Sequence, residues 1–289
     1  MSKKILILGG DGMAGNMIKT FLEEKGHDVY STTRRKKEGK RYFFDVLENY
    51  NAVEEIVADV KPNFVINCIG VLNQYAEENK AAAVLINSFL PHYIDSLSKK
   101  YDFKLVHIST DCVFSGEKGD YVEDSFPDAP SFYGRSKSLG EINNEKNLTF
   151  RTSIVGPDIN DNGIGLFNWF MKQSGEVKGF SKVIWTGVTT LELAKNIEKS
   201  FDTDITGLFH LVNNEKINKH DLLTLLKKYT GKKIDIKADD AYVSDKSLLR
   251  SRTDVGFEIP SYEQMIKEMG EWIDGHPEKY KQIILNKNL

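Results

Sequence analysis

The sequence lacks the features of secreted, metal-binding and membrane proteins. Its only cysteines, Cys68 and Cys112, have neither the density of a disulfide framework nor the spacing of metal ligands. No stretch approaches the roughly 20 apolar residues that a membrane helix needs, and the apolar run that begins after Lys4 meets glycines too soon for a signal peptide. We therefore expect a cytoplasmic protein with no metal site and no membrane partner.

The sequence also lacks a strong charge of either sign. Its formal net charge is -3 and its pI is about 6.1, which predicts no basic surface for nucleic acid. Hydrophobic residues make up 40% and charged residues 28% of the chain, as in ordinary globular proteins. The 289 residues suffice for one large domain or two unequal ones. We therefore expect a globular protein whose ligand is a small molecule.

What the sequence does contain is a regular alternation of short apolar runs and helical patterns. The runs KILIL, NFVIN and KLVHIST are uninterrupted, as in strands that are covered on both faces. Helical patterns separate them, including one at residues 80–100 and one at residues 136–146. This order predicts an α/β fold, namely a Rossmann-like doubly wound parallel sheet with a smaller α/β C-terminal substrate domain.

The boundaries of these two domains follow from a change in the pattern. The alternation loosens after about residue 154, but TTLELAKNIEKSF and GLFHLV read as one more helix and strand that return to the sheet. We therefore predict that residues 1–153 with 186–213 form the dinucleotide-binding domain. Residues 154–185 with 214–289 would then form the substrate-binding domain.

A glycine-rich turn follows the first predicted strand. In GGDGMAG, Gly9, Gly12 and Gly15 have the spacing G-x-x-G-x-x-G, and the next helix opens at Met13. The first glycine permits a tight turn, the second lets the backbone approach a pyrophosphate, and the third lets helix and strand pack closely. A merely tight turn would also use glycine. Because strand, spacing and helix occur together, we favour a dinucleotide site.

The end of the second predicted strand bears on the choice of coenzyme. NAD sites often place a carboxylate there for the ribose hydroxyls. This chain instead continues with Arg34, Arg35, Lys36 and Lys37, which would suit a 2'-phosphate or would form a solvated basic loop. We predict NADPH, with NADH possible. Asp45 would contact adenine or cap the helix that follows it.

The segment YGRSK places Tyr133 and Lys137 four residues apart, on one face of a helix. An ammonium group beside a phenol would lower the phenol pKa toward neutrality, which would suit it to give a proton to a carbonyl oxygen. Thr110 ends the strand of ISTDCVFSG, and its hydroxyl would donate to the same oxygen. A chance surface pair is the simpler explanation of Y-x-x-x-K alone, but the glycine turn and the strand end in the right order favour a site.

The sequence resembles an extended short-chain dehydrogenase/reductase, closest to the dTDP-4-dehydrorhamnose reductase group. The motifs that carry the resemblance are GGDGMAG, VINCIG, INSFLPHYI, HISTDCVFSG, YGRSKSLGE, FRTSIVGP and GLFHLV. The resemblance implies that Thr110, Tyr133 and Lys137 are catalytic. It implies a coenzyme site made of Gly9, Gly12, Met13, Gly15, Arg34, Arg35, Asp45, Val46, Cys68, Ile69, Gly70 and Asn87, with Tyr133 and Lys137. It implies substrate contacts from Asp111, Cys112, Val113, Arg151 and Arg250. The indole of Trp185 would stack on a nucleotide base or sugar, or would instead belong to the core or to a domain interface.

The resemblance implies the reduction of a nucleotide-linked 4-keto-6-deoxy sugar, and the chain departs from it in places. Ile154 stands where rhamnose-forming reductases often have an aromatic residue, which leaves the sugar open. Related dehydratases have Thr-Asp-Glu at the strand end, whereas this chain has Cys112 after Asp111. Epimerase-reductases pair such a cysteine with a histidine, and no histidine occurs between His107 and His210.

Two further alternatives stay open at this point. Some relatives keep the fold and bind nucleotide while they regulate a partner enzyme, although such chains tend to lose the tyrosine or the lysine. Both residues are present here, which favours an enzyme. The helix predicted at residues 80–100 would suit pairing with its copy, so a homodimer is possible.

Overall fold

The computed structural model describes residues 1–35, 39–160, 163–254 and 256–288. Lys36 and Lys37 of the predicted basic loop lie outside the described residues. Within them, no helix has the length and apolar character that crossing a membrane requires.

Strands and helices alternate along the first two thirds of the described chain. The strands are β1 Lys4–Leu8, β2 Asp28–Thr33, β3 Arg41–Phe43, β4 Phe64–Asn67, β5 Lys104–Thr110, β6 Leu148–Thr152, β7 Ile154–Val155, β8 Glu176–Phe180, β9 Val183–Trp185, β10 Val188–Thr189, β11 Gly207–His210, β12 Ile217–Asn218, β13 Asp235–Asp239 and β14 Ser244–Asp245. The helices are α1 Met13–Glu24, α2 Val46–Asn49, α3 Ala52–Val60, α4 Asn73–Glu78, α5 Lys80–Ala83, α6 Leu90–Lys100, α7 Phe132–Ser138, α8 Leu166–Lys172, α9 Thr190–Ser200, α10 Lys219–Thr230, α11 Tyr262–Gly275 and α12 Lys281–Leu285. A π-helical turn, Val84–Phe89, joins α5 to α6.

Seven strands form one parallel sheet in the order β11-β6-β5-β4-β1-β2-β3. The order reverses between β1 and β4, so their carboxyl ends at Leu8 and Asn67 open a crevice where such sheets bind ligands. The central strands β1 and β4 are nearly uninterrupted apolar runs, as expected for strands that are covered on both faces. The predicted Rossmann-like α/β fold is confirmed.

Smaller sheets complete the molecule. β7 pairs with β10, β9 lies between β12 and β14, and β8 pairs with β13. One apolar core joins them to the main sheet, because Ile5 and Phe150 of the sheet belong to the same buried cluster as Leu222 and Met265 of α10 and α11. The proposed division into 1–153 with 186–213 and 154–185 with 214–289 stays a prediction.

The helix predicted for residues 136–146 is wrong from residue 139 onward, because α7 begins at Phe132 and ends at Ser138. At Gly140 a Cβ would lie 1.9 Å from the carbonyl oxygen of Asn87, so only glycine fits where the chain passes the π-helical turn after α7. Beyond it, the backbone of Ile142 bonds the hydroxyl of Thr149 at 3.1 and 2.7 Å, instead of continuing the helical ladder.

Candidate active site

A cleft of about 570 Å³ lies at the switch point of the sheet. Its volume is that of a typical small-molecule site. The structure brings together nine of the predicted coenzyme residues on its wall, namely Gly9, Gly12, Arg34, Arg35, Asp45, Val46, Cys68, Ile69 and Gly70. These residues follow β1, β2, β3 and β4, so the topology alone collects them at one edge of the sheet.

The glycine turn fits the close approach of a dinucleotide. Gly9 has φ +84°, a conformation that favours glycine, and at Gly15 a Cβ would lie 2.1 Å from the Gly9 carbonyl oxygen. At Gly12 the nearest atom would be 3.5 Å from a Cβ, so this glycine leaves open space toward the cleft. Helix α1 begins directly behind it at Met13 and presents its free N–H groups.

Asp45 caps α2, with its carboxylate accepting from the Leu47 amide at 2.9 Å while it also lines the cleft. Both alternatives for this residue, an adenine contact and a helix cap, are therefore sterically compatible.

Asn87 has a different place from the other predicted coenzyme residues. Its amide nitrogen donates to the Val71 carbonyl at 2.9 Å and to the Ser136 hydroxyl at 3.0 Å, and its oxygen accepts from the Val71 amide at 2.8 Å. Asn87 thus ties the loop after β4 to α7, and it shapes the cleft through these neighbours. Its predicted contact with coenzyme is not tested.

Thr110 and Tyr133 meet at the carboxyl end of β5. Thr110 is the last residue of that strand, and its hydroxyl accepts from the Cys112 amide at 3.1 Å. Tyr133 is the second residue of α7, and it lies close enough to Thr110 for that side chain to lower the pKa of the phenol. Both side chains are nearly buried. The Thr110 hydroxyl itself donates to the Asp111 carboxylate at 3.1 Å, so a carbonyl oxygen placed here would find a donor in Tyr133, and one in Thr110 after that hydroxyl turns from Asp111.

Lys137 lies one turn after Tyr133 and is 5% exposed. Its Nζ donates to the Ile108 carbonyl at 2.7 Å and lies 3.5 Å from Nε2 of His107. On the other side of His107, Nδ1 is 3.2 Å from the Asn67 amide nitrogen. The end of β5 and the end of β4 therefore hold Lys137 against the sheet.

The pKa shifts differ from the expectation for a lysine-activated tyrosine. Burial, and then the Cys112 thiol, raise the pKa of Tyr133, although Thr110 opposes this. Burial lowers the pKa of Lys137 to about 8, against the opposing effect of Glu141. Desolvation thus favours the neutral form of each group. The neutral phenol is the form that carries the proton to be donated.

Two of the predicted substrate residues are packed inside the protein. The Arg151 guanidinium is 2% exposed, and Glu141 accepts from it at 2.8 and 2.6 Å. The same guanidinium lies 2.9 Å from Nε2 of His210. Val113 is fully buried in a small cluster with Phe114. Arg151 and Val113 can act on a substrate only by positioning their neighbours.

Asp111 and Cys112 lie beside the reacting pair. Burial raises the pKa of the Asp111 carboxyl, whereas Lys219 and Lys246 lower it. Burial also raises the pKa of the Cys112 thiol to about 11, which keeps it a protonated group. A thiol in this state is a poor base, so the structure adds nothing in favour of an epimerase role.

Lys219 lies near Asp111 and Trp185, and the sequence did not predict it as a site residue. It opens α10, its Nζ lies 5.1 Å from the ring centre of Trp185, and burial lowers its pKa to about 8. Lys219 and Asp111 are far apart in the sequence, and only the fold brings them together. The one local indication was Asn218, which caps α10 directly before Lys219. Arg250 instead donates to the Phe257 carbonyl at 2.5 Å.

The cleft also contains residues that were not predicted to line it, although Asp11 lies inside GGDGMAG. Asp11 and Thr33 lie among the predicted residues at the ends of β1 and β2, and Asn160 and Ile164 reach the cleft from the segment after β7. The Asn160 side chain donates to the Asp11 carbonyl at 2.8 Å. Proximity to GGDGMAG and to the strand end marks Asp11 and Thr33, whereas the segment after β7 carries no recognisable pattern.

The sheet order, the glycine turn and the cleft at the switch point define an extended short-chain dehydrogenase/reductase fold. The chain belongs to the family described as RmlD substrate binding domain, whose model matches residues 3–269. The resemblance to the dTDP-4-dehydrorhamnose reductase group is therefore confirmed at the level of the family.

Individual relatives are distant. The chain is 25% identical to spore coat polysaccharide biosynthesis protein SpsK of Bacillus subtilis over 234 residues, 79% of this chain and 80% of that protein. It is 26% identical to methionine adenosyltransferase 2 subunit beta of Xenopus laevis over 239 residues, 76% of this chain and 70% of that protein. The crystal structure of dTDP-4-dehydrorhamnose reductase from Bacillus anthracis in complex with NADP matches with a TM-score of 0.80 at 22% identity, covering 95% of this chain and 100% of that one.

Proposed function

We propose that the protein is an NAD(P)H-dependent reductase of a nucleotide-linked 4-keto-6-deoxy sugar, acting in deoxysugar or surface-polysaccharide biosynthesis in the cytoplasm. The observation that carries the proposal is that Thr110, Tyr133 and Lys137 are buried together at the carboxyl end of β5, where the Lys137 ammonium donates to the Ile108 carbonyl. Glycines, Arg34 and Arg35 line the neighbouring cleft. The two guanidinium groups support NADPH as the preferred coenzyme. Membership of the family and the likeness to SpsK support the substrate class.

The residues present suggest how such a reduction would proceed. The bound nicotinamide coenzyme would supply the hydride to the keto carbon. Thr110 would orient the carbonyl through a hydrogen bond, and Tyr133 would give its proton to the carbonyl oxygen. Lys137 would then lie one helical turn from the tyrosinate, and its positive charge would stabilise that anion. Burial of these side chains would exclude water from the reacting oxygen.

The test is NADPH oxidation with a panel of dTDP-, GDP-, CDP- and UDP-linked 4-keto-6-deoxy sugars, with the product configuration solved by NMR. Tyr133→Phe should lower kcat by about 100-fold or more while coenzyme affinity is kept, because only the proton donor is lost. Tyr101→Phe is the matched control, since its hydroxyl bonds Glu54 on the surface at 3.0 Å. Turnover that survives in Tyr133→Phe at the level of the control would refute the assignment.

A non-catalytic nucleotide-binding subunit is the second candidate. The likeness to methionine adenosyltransferase 2 subunit beta favours it. The protein would then bind coenzyme or nucleotide yet turn over no sugar of the panel. Retention of Tyr133, Thr110 and Lys137 in one buried group favours the enzyme.

A further inference from the structure

The Asp11 side chain makes two contacts at the end of β2. Its carboxylate accepts a hydrogen bond from the Thr33 hydroxyl at 2.5 Å, and it forms an ion pair with the Arg41 guanidinium. Thr33 is the last residue of β2 and Arg41 the first residue of the neighbouring β3. The Thr33 hydroxyl in turn accepts from the Arg35 amide at 3.0 Å. One carboxylate therefore joins the glycine turn to the ends of two strands.

This contact lies where a Rossmann-like site reads the adenosine ribose. A carboxylate at the end of the second strand accepts from the 2'-hydroxyl of NADH, and cations there bind the 2'-phosphate of NADPH. No carboxylate follows β2 directly in the sequence. The structure brings one to the same place from the glycine turn, and Asp11, Thr33, Arg34 and Arg35 all line the cleft.

We propose that Asp11 and Arg41 form the pair that sets the selectivity between NADH and NADPH, an inference that rests on the proposed coenzyme-dependent function. Asp11 accepts a hydrogen bond from a 2'-hydroxyl and repels a 2'-phosphate. Arg41 attracts the phosphate together with Arg34 and Arg35, and its ion pair with Asp11 restrains it. Among the described residues at this corner, the three guanidinium groups outnumber the carboxylates of Asp11 and Asp45, so both coenzymes bind and NADPH is preferred.

Nearby charges that take no part in the pair provide controls. Lys40 precedes Arg41 and pairs with Asp28 on the surface, at 2.5 Å. Its side chain is 61% exposed, compared with 30% for Arg41 and 28% for Asp11. A change at Lys40 therefore removes a cation of the same strand edge without touching the ribose corner.

The experiment measures the dissociation constants of NADH and NADPH by fluorescence titration in the absence of any sugar. In Asp11→Asn the ratio Kd(NADH)/Kd(NADPH) should rise by at least about tenfold, the scale of one charge-assisted hydrogen bond. In Arg41→Met the ratio should fall by at least about tenfold. Lys40→Gln should leave it unchanged. A smaller shift or a shift of opposite sign in either test variant would overturn the proposal.

Two further measurements keep the outcome unambiguous. Circular dichroism and thermal unfolding establish that each variant is folded. If Asp11→Asn does not fold, Thr33→Val replaces it, because loss of the Thr33 hydroxyl frees the Asp11 carboxylate while both charges of the pair remain. Thr33→Val should change the ratio, and an unchanged ratio would refute the pairing. If no sugar of the panel reacts, the proposed reductase function is refuted, but the ratios of dissociation constants remain a valid test of the Asp11–Arg41 pair. If the wild-type protein binds neither coenzyme, both proposals are refuted.

Discussion

Glu141→Gln tests the most buried ion pair near the active site. The Glu141 carboxylate is 8% and the Arg151 guanidinium 2% exposed, and two hydrogen bonds join them. Glu141 also accepts from the Ser109 hydroxyl at 2.6 Å. The substitution keeps the shape of the side chain but leaves the guanidinium without a counter-charge in a dry environment.

The expected loss is about 3 kcal/mol of unfolding free energy, the lower end of what removal of one partner from a buried pair costs. For a domain of this size that loss corresponds to a fall in Tm of roughly 6–12 °C. Urea denaturation at neutral pH measures the free energy, with an unchanged m-value as the sign of an unchanged folding transition. Glu145→Gln, on the exposed part of the same segment, is the control and should change the free energy by less than about 0.5 kcal/mol.

Glu141→Gln should also act on Lys137. Glu141 raises the pKa of Lys137 against the effect of burial, so its loss should lower that pKa further below about 8. If the lysine charge supports turnover, the alkaline limb of kcat/KM moves to lower pH in the variant. A loss of stability below about 1 kcal/mol would show that Arg151 finds other compensation, and the account of the buried pair would then be refuted.

Three other perturbations have defined outcomes. Gly12→Ala should abolish coenzyme binding with little loss of stability, because its Cβ meets no atom nearer than 3.5 Å. Gly15→Ala should lose both coenzyme binding and stability, because its Cβ would lie 2.1 Å from the Gly9 carbonyl oxygen. Coenzyme titration and thermal unfolding measure the two effects separately. Lys219→Met should raise the free energy of unfolding near neutral pH. This gain should shrink as pH rises from about 8 to about 10.4, because between these values the unfolded wild-type protein binds more protons than the folded one. A difference in unfolding free energy that does not change with pH would contradict this. Asn87→Ala should cost about 3 kcal/mol in denaturant unfolding, because it leaves buried polar groups unpaired, and an unaffected midpoint would argue against that role.

The fold and the cleft residues that follow β1, β2, β3 and β4 were predictable, because their signals in the sequence are local. Strand runs, helix periodicity and GGDGMAG each occupy a few consecutive residues, and the sheet order then assembles their ends. The end of α7 was not predicted, because the helical pattern of the sequence continues to residue 146, whereas the close approach of Gly140 to the distant Asn87 is visible only in the fold.

The surroundings of Asp111 and Cys112 were less predictable, because the residues that meet there are distant from one another in the sequence. Lys219 meets Asp111 and Cys112 from more than 100 positions away in sequence, so no motif includes them together. The direction of the Tyr133 pKa was also mispredicted. The sequence placed Lys137 at helical spacing, but it did not reveal how completely the phenol would be desolvated.

The shared apolar core limits how the molecule can admit a bulky ligand. Swinging α10 and α11 away from the parallel sheet would expose side chains such as Leu222, Leu226 and Met269, which water does not reach. Each fully exposed side chain of this kind would cost roughly 1.5–3 kcal/mol, so a hinge motion of whole domains is unfavourable. Entry of a bulky ligand must therefore depend on rearrangement of the segments at the rim of the cleft, with the framework of sheet and helices remaining stationary.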